Sequence, residues 1–300
     1  MISIKRSSAE PAFSKATVIT KMKSGLEEYY KKPQTSRRQH KPPYIPLPSS
    51  VLEKIRAYLL KEFNGKCAYC ESLITLTYPG DFDHFRPKGS AKGLDQDFSL
   101  DNYWTLAYDW RNMYLCCDVC NRYKVNWFPV EGKRAPVTLT YNQIVKGEKN
   151  LLIDPCHDDP FLHLKYFENG MVKPLTTKGK VTIETLKLNR KDLVERRKEK
   201  YRQLLLPLTR LSRRGSRPRN FTLQDQQTIL LLAEWIDKIY HPKTKEEHAG
   251  FQRFFFNQIV QKDRTLSQFL LDHDVRGIFK KWLQGIDHSQ GLSASNQKTA

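Results

Sequence analysis

Two Cys-x-x-Cys pairs, Cys67-Ala-Tyr-Cys70 and Cys117-Asp-Val-Cys120, constrain this chain more than anything else in it. Each pair can place two thiolates on one turn, and two such knuckles complete a closed tetrahedral zinc site. Cys67, Cys70, Cys117 and Cys120 are therefore the expected zinc ligands, with no position left open for a substrate. A zinc bound there is structural. It pins the two ends of a stretch of more than fifty residues and holds what lies between in a fixed frame. Cys116, next to Cys117, is an alternative ligand and is read as core-facing; Cys156 is read as a buried thiol.

Inside and just beyond that frame stand Asp83-His84 and Asn121-Arg-Tyr-Lys124. A hard divalent cation that bridges to a phosphate needs oxygen ligands and open positions, which the Asp83 carboxylate and the Asn121 amide can supply. In a strand Asp83 and His84 point to opposite sides. His84 is then free to take a proton from water while Asp83 holds the cation, a role that suits an imidazole. Arg86, Lys88 and Lys124 are candidate phosphate contacts.

Charge points the same way. Of the net +19, residues 1–50 contribute ten Lys/Arg against three acids, and residues 187–219 thirteen against three. Two basic flanks around a nearly neutral core form an electrostatic footprint for a polyanion. Arg196, Arg197, Arg213 and Arg214 are the candidate contacts on the second flank. No apolar run approaches the length of a membrane span, and the first twenty residues carry no signal-like apolar stretch, so the reading is intracellular, cytoplasmic.

The elements read as an α+β fold, mainly helical. Residues 1–48, basic and proline-punctuated, read as an extended arm. A helix is expected from Ser49 or Ser50, with a Ser50–Glu53 capping box, Leu52, Ile55, Leu59 and Phe63 on its apolar face, and Gly65 at its end. Short strands are expected at Leu73–Thr77, Asp81–Phe85 and Asn112–Cys116, with a turn at 78–81 and a short helix running to Lys124. Residues 49–135 form the expected zinc-knuckle core, with the aromatic stretch around Tyr103 and Trp104 in its packing. Residues 136–188 read as a strand and turn extension with a hairpin at Asn169-Gly170, 189–288 as helical, and 289–300 as a disordered tail. Thr222 should cap a helix from Leu223 to Tyr240. Trp235, Phe251, Phe254, Phe255 and Phe256 offer a docking surface or, for most of those rings, core.

Asp83-His84-Phe-Arg-Pro, Trp110-Arg-Asn112, Cys117-Asp-Val-Cys120-Asn121-Arg-Tyr-Lys124 and Asn126-Trp-Phe-Pro129 resemble the HNH endonucleases with a ββα-metal core. More narrowly, they look like the PtuB-like HNH component of Septu-type and retron-associated anti-phage systems. The resemblance is specific from Cys67 to Val130. It implies that Asp83 is a metal ligand, His84 the general base, Asn112 the brace of the loop bearing the histidine and Asn121 the ligand on the helix. Many HNH enzymes have a histidine where Asn121 stands, and an amide there favours Mg²⁺ or Mn²⁺ over tight zinc. The resemblance also implies a partner, a PtuA-like ATPase of the ABC/SMC type, and in retron systems a reverse transcriptase with its RNA–DNA. This chain has no Gly-x-x-x-x-Gly-Lys-Ser/Thr loop, so ATP hydrolysis would belong to another chain. DNA is the default substrate of the wider family, with RNA, including tRNA, an alternative. A zinc-dependent binding module or scaffold that cuts nothing is the rival reading.

Overall fold

The computed structural model describes all residues except 38–39, 41, 45, 76–79, 96, 216–221, 242, 274–276 and 280–300, and the side chains of 214–215. The expected strand Leu73–Thr77, the turn at 78–81 and the tail at 289–300 thus lie partly or wholly outside the described residues. The chain divides into two compact units, Met1–Arg197 and Lys198–Ala300.

The first unit does not begin as an extended arm. Thr17–Lys31 is a helix (α1) that buries Ile19, Met22 and Leu26. The spacing of three and four residues gives one apolar stripe, which the basic composition of the segment hid. Helix α2, Ser49–Glu62, buries Val51, Ile55 and Leu59, so Val51 rather than Leu52 lies on the inner face. Its N-cap is Pro48 and no side chain caps it, because the helix starts two residues earlier than a Ser50 cap requires. Its far end is a Schellman turn. Asn64 and Gly65 are both left-handed, with φ of 54° and 68°, and the Gly65 amide donates to the Leu60 carbonyl at 2.8 Å. Gly65 meets that conformation without steric cost, and asparagine is the residue that tolerates it next best.

That turn delivers the chain to the first cysteine pair. The Ala68 amide donates to the Leu115 carbonyl at 2.8 Å, which ties the first knuckle to the strand leading into the second. Strand β1, Asp81–His84, is followed by a small ribbon of β2, Ala91–Lys92, and β3, Phe98–Ser99. Beyond it Tyr103, Leu106 and Ala107 are buried, in short 3-10 turns rather than an α-helix. Strand β4, Met113–Cys116, is buried throughout and pairs antiparallel with β1, Asp83 opposite Tyr114 and His84 opposite Met113. Helix α3, Asp118–Lys124, follows at once, its N-cap Cys117 and its last turn basic, in the sense that favours the helix dipole.

After α4, Tyr141–Gly147, the expected hairpin appears as β5, Leu164–Tyr166, paired with β6, Val172–Pro174, and Gly170 takes the positive φ of its turn. Helices α5, Thr177–Thr185, and α6, Lys191–Gly215, complete the unit, α6 running across the division. In the second unit Thr222 caps α7, Leu223–Tyr240, in a reciprocal box with Asp225. Phe251, Phe255 and Phe256 are buried in α8, Ala249–Lys262, and are core there. Helix α9 spans Arg264–Asp272. Among the described residues no helix is long and apolar enough to cross a membrane.

Candidate active site

The four cysteines named from their spacing come together. Their sulfur atoms all lie within 4.8 Å of one another, and Cys70 Sγ is 3.7 Å from Cys117 Sγ. A zinc–sulfur bond of about 2.3 Å in a regular tetrahedron puts the sulfurs about 3.8 Å apart, so the cluster fits a zinc ion. The surroundings fit it too. Burial pushes the Cys67 thiol well above the ordinary range, whereas bonds from Cys117, Cys120 and Cys67 hold Cys70 well below it. Four thiols this close and this buried can all give up their protons only to a shared cation. Arg190 supplies outer charge, with Nη1 3.8 Å from Cys120 Sγ and Nη2 4.0 Å from Cys117 Sγ. Cys116 is fully buried and lies outside the cluster; burial drives its thiol far up. Burial likewise raises Cys156, to about 12.

Asp83 and His84 leave β1 in different environments. Asp83 is 5% exposed and accepts at Oδ2 from the Tyr69 hydroxyl at 2.5 Å and from Lys124 Nζ at 2.8 Å. Burial raises its pKa, opposed by Lys124 and Tyr69. His84 is half-buried, with Nε2 2.7 Å from the Ala107 carbonyl. A carbonyl only accepts, so Nε2 carries the proton and Nδ1 is the bare nitrogen. Burial, reinforced by the Lys88 charge, pushes the imidazole down to about 3, so it stands neutral at physiological pH. Asn112, 0% exposed, accepts from the Arg86 amide at 2.9 Å and donates to the carbonyls of Arg86 at 2.9 Å and Leu106 at 3.3 Å. It joins the residues after His84 to the turn that carries Ala107.

Asn121 and Asp83 are not joined directly. The Asn121 amide donates to Asp81 Oδ2 at 2.7 Å. Asp81 and Asp83 share a strand face, two residues apart, and the Asp81 charge acts on Asp83. The oxygen-bearing face of the hairpin therefore carries Asp81 as well, and the Asp-Phe-Asp alternation was the signal for it. This donor set, two carboxylates and an amide, fits a hard cation such as Mg²⁺ or Mn²⁺.

The expected phosphate contacts divide sharply. Arg86 is 1% exposed and bound by Nε to Glu148 at 3.0 Å; Lys124 is 0% exposed; Arg197 is 3% exposed and donates to the Gly170 carbonyl at 2.9 Å. These three are interior cations, each held by protein oxygens although Arg86 Nη1 is buried without a hydrogen-bond partner, and are corrected from surface contacts to packing groups. Their charge alone could not tell which side of the fold they occupy. Lys88 remains available. It is half-buried, its Nζ 5.2 Å from the Tyr44 ring centre, and burial lowers its pKa against the pull of Asp81. Arg196 and Arg213 are exposed, and the Arg214 side chain lies outside the described residues.

No family model matches the chain, and no solved structure matches it. It is 37% identical over 150 residues to Septu protein PtuB of Bacillus mycoides (strain KBAB4), covering 48% of this chain and 50% of that protein. It is 32% identical over 139 residues to Septu protein PtuB of Bacillus thuringiensis, covering 46% and 42% respectively. A third relative is Septu protein PtuA of the same Bacillus mycoides strain, 41% identical over 155 residues, 50% of this chain but 21% of that protein. The chain thus spans half or less of the length of these curated relatives. Over about half of its own length, it is a homologue of Septu proteins PtuB.

Proposed function

We propose that this chain is a metal-dependent HNH endonuclease, the effector nuclease of a Septu-like anti-phage system, that hydrolyses phosphodiester bonds of nucleic acid, DNA before RNA. The observation that carries the reading is the fixed tautomer of His84. With Nε2–H held on the Ala107 carbonyl at 2.7 Å, Nδ1 can only accept, which is what a general base does. His84 Nδ1 takes a proton from the attacking water. Asn112 keeps the two chain segments that set that geometry in register. Asp83, Asn121 and Asp81 would hold Mg²⁺ or Mn²⁺, which when bound supplies charge to offset the build-up on the phosphorane and the departing 3′-oxygen. Lys88, beside His84, steadies the scissile phosphate.

The four-cysteine cluster holds a structural zinc, and β1, β4 and α3 make up the ββα-metal element of the family. Similarity to Septu PtuB supports the defence role, and a PtuA-like ATPase is the partner that goes with it. A retron reverse transcriptase with its RNA–DNA is the partner in the retron-associated version. The test is cleavage of DNA and RNA by purified protein, alone and with the ATPase, in Mg²⁺ or Mn²⁺. Cleavage that disappears in His84→Ala, with zinc content and folding unchanged, supports the reading. A His84→Ala protein that still protects cells from phage would instead make the chain a non-catalytic binding module or scaffold.

A further inference from the structure

We infer that Tyr69 and Lys124 are positioning residues that clamp one oxygen of Asp83, and that through them the four-cysteine site aims the carboxylate at its cation. The inference rests on the hydrolytic reading above and names the machinery behind its cation site. Tyr69 lies between Cys67 and Cys70, so its backbone belongs to the first knuckle. Lys124 ends α3, the helix that begins with the second knuckle and contains Cys120. Each knuckle therefore sends one donor to the same atom, Asp83 Oδ2, the phenol at 2.5 Å and the ammonium at 2.8 Å.

Nothing in the clamp has room to drift. Tyr69 is 1% and Lys124 0% exposed; the Tyr69 ring stacks on Tyr114, with ring centres 6.4 Å apart. Lys124 Nζ also donates to the His84 carbonyl at 2.9 Å, so one ammonium spans both residues of the dipeptide. With Oδ2 doubly engaged, Oδ1 is the oxygen left for a cation, and Asp83 is set as a one-oxygen ligand. The two donors have opposite consequences for affinity. Tyr69 orients the carboxylate without charge, which favours binding. Lys124 already balances its charge, which opposes a second cation.

The experiment uses the zinc-loaded full chain, with Mn²⁺ titrated and free Mn²⁺ read by electron paramagnetic resonance, and zinc counted by mass spectrometry. Asp83→Asn identifies the binding that belongs to this site. Tyr69→Phe keeps the ring and is expected to keep the zinc while weakening Mn²⁺ about tenfold, the low end for losing an outer partner of a ligand. Lys124→Gln is expected to tighten Mn²⁺, a direction that damage to the fold would not produce. Unchanged Mn²⁺ affinity in Tyr69→Phe with zinc intact overturns the inference, as does weakening in Lys124→Gln. If Tyr69→Phe loses zinc or fold, Lys124→Gln alone decides. If the wild type shows no Asp83-dependent Mn²⁺ binding, the cation site itself falls and the inference with it, a result distinct from altered affinity in the variants.

Discussion

Replacing Asn112 with alanine tests how the His84 loop is held. The side chain is fully buried and makes three bonds, to the Arg86 amide, the Arg86 carbonyl and the Leu106 carbonyl. The Asn112 carbonyl still accepts from the Phe85 amide at 2.9 Å, since that bond is backbone. Alanine leaves one buried N–H without its acceptor and two carbonyls short of a donor, a loss of about 2–5 kcal/mol. The unit that contains it runs from Met1 to Arg197. At about 2.1 cal/mol/K per residue its unfolding entropy is about 0.4 kcal/mol/K, so the midpoint should fall by about 5–12 °C. Asn112→Asp keeps the acceptor for the Arg86 amide but turns an oxygen on both carbonyls, and is expected to be no more stable than alanine. Differential scanning calorimetry of zinc-loaded protein reads both. A fall of less than about 2 °C in Asn112→Ala would mean that the loop stands without its brace, and the account of His84 positioning would be wrong.

Three further outcomes follow from the same geometry. Removing the metal from the four-cysteine cluster with a strong chelator should unfold the first unit, because a structural zinc contributes about 10 kcal/mol or more against a typical domain stability of about 5–15 kcal/mol; an apo protein with an unshifted melting transition would refute it. Asp154 is buried, which alone would raise its pKa, but bonds from His157, Tyr114 and the Cys156 amide leave it lowered. Its stabilisation is present above the unfolded carboxylate pKa and is lost as pH falls through the folded one, so below about pH 4 the wild type should lose stability more steeply than Asp154→Asn, and parallel curves in acid-titrated urea unfolding would count against the pairing. Lys88→Met should lower the salt dependence of DNA binding by about one phosphate contact, whereas Arg197→Met should cost stability and leave that slope alone; the reverse result would return Arg197 to the surface.

Short-range spacing was the legible part. Each cysteine pair, the hairpin at Asn169-Gly170 and the Thr222 cap were written within a few residues of themselves, where covalent geometry limits the choices. The α1 helix was missed because its apolar positions are sparse among lysines, glutamates and other polar residues, and stripe spacing outweighs composition when a core is near. The Ser50–Glu53 box failed by two residues, since the N-cap is Pro48. Pro48 fixes a φ of −56° at the N-cap, so both serines fall inside the helix and neither can cap it.

The cations show why the rest was not legible. Arg86, Lys88 and Lys124 carry one charge sign, yet Arg86 answers Glu148, sixty-two residues away, Lys124 answers Asp83, and Lys88 meets an aromatic ring from Tyr44. Each fate is decided by a partner distant in sequence, and burying a charge is tolerable only with such a partner in place. The same pairings assign the work. The interior cations hold the frame; Lys88, half-buried beside His84 and Asp81, is the one of these three not tied to a protein acid. The basic residues around this hairpin therefore divide by burial: Lys124 holds the Asp83 carboxylate and the His84 carbonyl, Arg86 holds Glu148, and half-buried Lys88 is the one that the proposed hydrolysis would turn toward a phosphate.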